Sequence, residues 1–172
     1  MSNFASASDM VVRYSPNLLG DLLGDGGERI PASAMASDTV MSAMLATATG
    51  RIKAAARAGQ RYTEAQLTGL LNPASEYYDA ESAAYLTDLT CRVTFWLLFQ
   101  RKPWADSHES ARRQAEAEYN DAIEQFRTGH HILNIGSDDS VPTNVGVNAT
   151  NRQYIYSETP RGRFFPRRRL YG

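Results

Sequence analysis

The sequence predicts an all-α protein, a small helical bundle followed by a long extended C-terminal arm. Three observations carry that expectation. Apolar residues recur at spacings of three and four over four stretches between residues 37 and 129, the period of a helix with one buried face. Near residue 132 the composition shifts from Ala, Glu, Leu and Gln to Gly, Asn, Ser, Thr, Pro and Tyr. The chain ends "RGRFFPRRRLYG", with five arginines, three aromatics and no acid in its last twelve positions. The expected organisation is an N-terminal segment with one short helix over 1–36, a bundle body over 37–131 and a docking arm over 132–172.

The N-terminal stretch "YSPNLLGDLLGDGGERIP" predicts one helix over Pro16 to Leu23, with Pro suited to its first turn, then a Gly-rich turn. Its Leu pairs are expected to pack on the bundle. In "SDTVMSAMLATATGRIKAAARAG", Ser37 or Asp38 caps a helix whose apolar face runs through Met41, Met44 or Leu45, Ala48, Ile52 and Ala55, with Gly59 as the stop. Its other face carries Arg51, Lys53 and Arg57. "TEAQLTGLL" is a short helix capped by Thr63, with Leu67, Leu70 and Leu71 on one side, halted before Pro73.

The longest predicted helix runs from about residue 73 or 75 to residue 100. Leu86, Leu89, Val93, Trp96 and Leu97 form one stripe, and Phe95 and Phe99 add a second. A helix apolar nearly all round belongs at the centre of a bundle, so "LTDLTCRVTFWLLF" is the expected core. After "RKPWADS", the stretch "HESARRQAEAEYNDAIEQFRTG" places Ala115, Tyr119, Ala122 or Ile123, and Phe126 on one face, with Gly129 as the stop. Its opposite face is charged, with Arg112 and Glu116 four apart. The 137–153 stretch, "SDDSVPTNVGVNATNRQ", has turn formers and no period, so it reads as linker; "RQYIYSE" forms a short strand where an edge is offered.

Length, composition and charge bound the function. A chain of 172 residues, 42% apolar and 22% charged, suits one folded domain with appendages. The net charge of −1 hides an asymmetry: residues 152–172 carry six Arg against Glu158, leaving that segment at +5 and the remainder at −6. An acidic body with a basic arm fits association with like subunits or with an acidic partner, DNA included. Cys91 is the single cysteine, which excludes an intrachain disulfide and a Cys-based zinc site and points to a reducing cytoplasm. No segment reaches the roughly 18 apolar residues of a membrane span, and the N-terminus lacks the charged and apolar regions of an export signal.

Chemistry-bearing residues do not converge in the sequence. His130 and His131 have no carboxylate or Cys at a metal-ligand spacing and read as a helix C-terminus; His108 reads as a helix start. "GDLLGDGG" and "HILNIGSDDS" lack the Lys and hydroxyl of a phosphate loop and read as turns, and Asp138 with Asp139 lacks the final Glu of a calcium loop. Glu109, Glu116, Glu118, Asp121 and Glu124 alternate with Arg, Gln and Asn, the pattern of a solvated helix face. Cys91 reads as a small buried hydrophobe. No catalytic residue, cofactor or metal is expected, and no enzyme.

The arm is different. Tyr154, Ile155, Tyr156, Phe164, Phe165, Leu170 and Tyr171, interleaved with Arg161, Arg163, Arg167, Arg168 and Arg169, are the residue types that anchor protein interfaces. The order of elements, from Tyr14 and paired Leu through a helix of small residues, a long apolar helix and a charged helix to an Arg- and aromatic-ended arm, resembles the head-tail connector proteins of tailed bacteriophages. These are also called adaptor or head-completion proteins, and the likeness is to the Mu-like group in particular. It covers about residues 10–130 and, more loosely, the arm.

The resemblance implies bodies standing side by side in a ring, commonly dodecameric, beneath the portal vertex, with the twelve arm residues just named docking on the portal or a neighbour. It implies a virion location at the head-tail interface after assembly in the host cytoplasm. The implied partners are further copies, the portal protein, a tail-side connector or tail protein, and genomic DNA that passes the lumen without sequence-specific binding. An acidic lumen would repel phosphate and let the duplex slide. The linker over 141–153 and the heavily basic end depart from the family pattern and leave portal, neighbour and DNA open as the arm's contact. The rival reading is a DNA-packaging or DNA-binding protein, small-terminase-like, whose basic arm neutralises phosphates.

Overall fold

The computed structural model describes residues 3–25, 28–102, 108–128, 133 and 135, which are mostly helical and contain no strand. Ser6 opens α1 (Ala7–Arg13): its side chain accepts from the Asp9 amide, and Asp9 accepts from the Ser6 amide at 2.7 Å. This reciprocal cap satisfies two donors that a helix start leaves orphaned. α2 (Pro16–Leu23) follows with its proline in the first turn, and α3 (Ala32–Met35) is a single turn. The segment before Ser37 thus holds three helices where the sequence predicted one.

Asp38 starts α4 (Thr39–Gly59) by accepting from the Met41 amide at 2.8 Å. Gly59, expected as a stop, is the last helical residue, and Gln60 takes the left-handed cap at φ 54°. Gly59 serves a close approach instead: a Cβ there would lie 2.1 Å from the Phe126 carbonyl oxygen. Thr63 and Gln66 exchange cap bonds at 2.9 and 3.2 Å around the start of α5 (Glu64–Gly69).

The long helix begins later than the pattern predicted. Between residues 72 and 78 the chain makes successive turns: Ser75 donates to the Asn72 carbonyl at 2.8 Å, Ala74 to the Asn72 side chain at 3.1 Å and Tyr77 to the Ser75 hydroxyl at 3.2 Å. Short polar side chains that bond the nearby backbone compete with helix formation. Asp79 then caps α6 (Ala80–Arg101) through the Ser82 amide at 2.8 Å. α7 (Glu109–Thr128) starts one residue after His108.

Helices α4, α6 and α7 pack mutually. α4 and α7 run in the same direction, since Arg51 bonds Tyr119 and Gly59 abuts Phe126. α6 lies between two apolar clusters. Leu86, Leu89, Val93 and Leu97 meet Ile52, Ala55, Leu67, Ala122 and Phe126 in the first. Cys91, Phe95, Trp96, Leu98 and Phe99 meet Met10, Leu19, Leu22, Leu23, Met35 and Met41 in the second. Trp96 was expected on the Leu86 stripe; it sits about 100° round from Leu97, and its ring reaches Tyr119, with centroids 6.2 Å apart. The N-terminal helices cover the second cluster, which is why α6 is apolar nearly all round. Its buried Thr90 and Thr94 donate back to the Leu86 and Thr90 carbonyls at 2.8 and 2.7 Å, so their hydroxyls are satisfied.

Three devices tie the N-terminal segment down. The Phe4 amide donates to Thr49 of α4 at 3.1 Å, and Thr87 of α6 donates to the Phe4 carbonyl at 3.0 Å. Arg101 donates to the Leu23 carbonyl at 2.9 Å and Lys102 to the Asp21 carbonyl at 2.7 Å, placing two cations at the negative end of α2. Tyr14 stacks on Phe95 with centroids 3.9 Å apart. Among the described residues no helix is long and apolar enough to cross a membrane.

Candidate docking site

All twelve predicted docking residues, and with them His130, His131, Asp138 and Asp139, lie outside the described residues. What is described is the point from which the arm departs. Leu133 is 5% exposed within the first cluster, and its amide donates to the Tyr62 hydroxyl at 2.6 Å. Ile135 packs on the same cluster. Tyr62 is itself held edge-on against Phe126, ring centroids 6.5 Å apart.

The charged face of α4 is engaged with the rest of the body. Lys53 bonds Glu64 at 2.9 Å, Arg57 pairs with the same carboxylate, and Arg51 donates to the Tyr119 hydroxyl at 2.9 Å with its guanidinium over that ring. The bonds from Lys53 and Arg57 hold Glu64 below the usual carboxylate range. The acids of α7 are as predicted: Glu109, Glu116, Asp121 and Glu124 are exposed and Glu118 half-buried.

The sequence reading missed Asp88. It is 8% exposed and sits between two arginines, with Arg92 at 2.8 Å and Arg13 of α1 against its Oδ1. The trio fixes the register of α1 on α6. Cys91, close by, is fully buried, and burial pushes its thiol up to about 12, which leaves it protonated and unreactive. Burial likewise raises the Tyr14 phenol, with Glu118 adding to the effect.

A groove of about 450 Å³, open to solvent, is lined by Phe4, Ala5, Leu45 and Leu71 together with Asn3, Ser6 and Asp9. Asp9 is already committed to Ser6, so the lining offers no convergent set of acids, bases or nucleophiles. Among the described residues no three His, Cys, Asp or Glu side chains gather where an ion would sit.

The surface has one further feature. Among the described residues the exposed large hydrophobic side chains are Val12, Tyr78 and Tyr85. Tyr78 precedes the α6 cap and Tyr85 lies on that helix four residues after Glu81; Glu76, Ala80, Glu81 and Ala84 around them are exposed. Burial raises the Tyr85 phenol, opposed by Arg92 and reinforced by Asp88 and Asp121, so α7 contributes acid to the same neighbourhood. The signal was present in "EYYDAESAAY", whose tyrosines fall off the Leu86 stripe. No protein-family model, curated protein or solved structure matches the chain.

Proposed function

We propose that the protein is a structural component of a tailed-bacteriophage virion, a ring-forming connector that joins head to tail beneath the portal and continues the DNA channel. The observation that carries the reading is the fixed root of the arm: Leu133 buried in the body with its amide on Tyr62. An Arg- and aromatic-rich segment that leaves a folded body from a set point is a tether. A ring presents many such tethers at once, so weak individual docking becomes firm through effective concentration. Docking on protein is favoured over a grip on the duplex because the cations of α4 are bound to Glu64 and Tyr119 of the same body. The remaining charge of the chain outside residues 152–172 is acidic, which suits a channel wall that lets phosphate pass.

The test compares the full chain with a version ending at Gln153. Each is mixed with purified portal and with isolated phage heads, and rings are sought by electron microscopy. Decoration by the full chain alone is the expected result. Equal decoration by both removes the arm from docking. Failure of both, with steeply salt-sensitive DNA retention by the full chain, replaces the connector reading with the packaging one.

A further inference from the structure

We propose that the N-terminal segment through Met35 is a releasable cover: latched by Arg13 on Asp88, it lifts off α6 as one unit while α4, α6 and α7 stay packed. This goes beyond the connector reading and does not depend on it.

The division of the core supports it. Of the buried residues in the first cluster only Phe4 comes from the segment before Ser37; the others lie at or beyond Ala48. The second cluster is shared, with Met10, Leu19, Leu22, Leu23 and Met35 of the segment on one side and Cys91, Phe95 and Phe99 of α6 on the other. Departure of the segment opens the second cluster and leaves the first complete except for one ring.

The segment also has no stability of its own. α1 has seven residues, α2 eight and α3 four, lengths at which an isolated helix does not persist in water. Their order is borrowed from α6, so loss of docking releases all three together, and the conformational entropy the segment recovers favours that release. α4, α6 and α7 have 21, 22 and 20 residues and pack on one another without it. The segment is contiguous and joins the body covalently only at Asp38, where α4 begins, so it leaves without unthreading. Contiguous stretches of this kind are the usual units of partial opening.

Polar contacts hold the edges. Arg13 of α1 pairs with Asp88, which Arg92 also holds at 2.8 Å, and Arg101 and Lys102 donate to the Leu23 and Asp21 carbonyls of α2. The Arg13 side chain is 40% exposed, so solvent reaches the latch and salt screens it. Arg92 lies on the same helix as Asp88 and stays with it when Arg13 leaves, so opening does not strand a carboxylate without a cation.

Cys91, the single cysteine, lies under the cover and reports on it. The full chain is alkylated with N-ethylmaleimide below the urea concentration that unfolds it, and its amides are followed by hydrogen exchange with mass spectrometry. The thiol and the α1 and α2 peptides are expected to open at one common frequency, about tenfold or more above that of the peptides from Ala48 to Ala56 and from Ala115 to Phe126. That opening depends less steeply on urea than unfolding does, because it exposes less surface. Arg13→Gln, at a half-exposed site that protects the fold, raises thiol labelling roughly fivefold and leaves the α4 and α7 peptides unchanged. Added salt speeds labelling more in the wild type than in Arg13→Gln. Labelling only at the frequency of whole-chain unfolding, different frequencies for α1 and α2, opening of the α4 and α7 peptides along with them, or labelling untouched by Arg13→Gln each overturns the proposal.

Discussion

Tyr62→Phe probes the anchor from which the arm departs. The phenylalanine ring keeps the edge-on packing against Phe126, 73° between planes, and removes only the oxygen that accepts the Leu133 amide at 2.6 Å. Leu133 is 5% exposed, so its amide is left facing apolar neighbours. An unsatisfied buried donor costs about 1–3 kcal/mol, which corresponds to roughly 5- to 150-fold more frequent opening of the root at 1.4 kcal/mol per decade. Hydrogen exchange followed by mass spectrometry reads this directly: the peptide containing Leu133 exchanges faster by that factor, while the peptide spanning Val93 to Phe99 in the core stays at the wild-type rate. An unchanged root peptide refutes the anchor. Equal acceleration in both peptides also refutes it, because Tyr62 would then be supporting the whole fold rather than the root.

Two further outcomes follow from named contacts. Gly59→Ala drives a methyl to 2.1 Å from the Phe126 carbonyl oxygen and lowers unfolding free energy by about 1–3 kcal/mol as α4 and α7 separate, whereas Gly50→Ala, with nothing within 4 Å of the added atom, raises it by about 0.5–1 kcal/mol; urea titration of both variants checks the opposite signs. Cys91 resists alkylation in the native state and reacts at once in denaturant. Because burial raises the thiol from 9.0 to about 12, the unfolded chain loses this proton first. The stability it contributes is whole below pH 9 and declines as pH rises towards 12, and Cys91→Ala makes that alkaline limb shallower in pH-dependent melting.

Much of the bundle was legible because caps and period are local. Asp38, one of the two caps expected for α4, and Thr63 for α5 start their helices, and Pro16 and Leu23 bound α2. α1 escaped because one buried residue, Met10, is too little for a period, although the Ser6 and Asp9 cap was visible. The early start expected for α6 failed because the Asn72 and Ser75 side chains accept from backbone amides two residues further on, a choice that apolar spacing does not register. The residues expected to dock lie outside the described ones, and the exposed Tyr78 and Tyr85 were not singled out by the sequence pattern.

The sequence by itself determined α2, α4, α5, α7 and most of α6, that α6 is central, and that charge divides between an acidic body and a basic end. Those properties depend on neighbours a few residues apart or on composition. Tertiary structure decided which face of α6 each cluster covers, why Gly59 must lack a side chain, that Glu64 and Tyr119 absorb the cations of α4, and that Leu133 belongs to the body. Each of these depends on residues distant in sequence meeting in space, such as Gly59 with Phe126 and Tyr62 with Leu133. Tyr85 stays at the surface for the same reason: α4, α7 and the N-terminal helices cover the other sides of its helix, and that coverage is a property of packing.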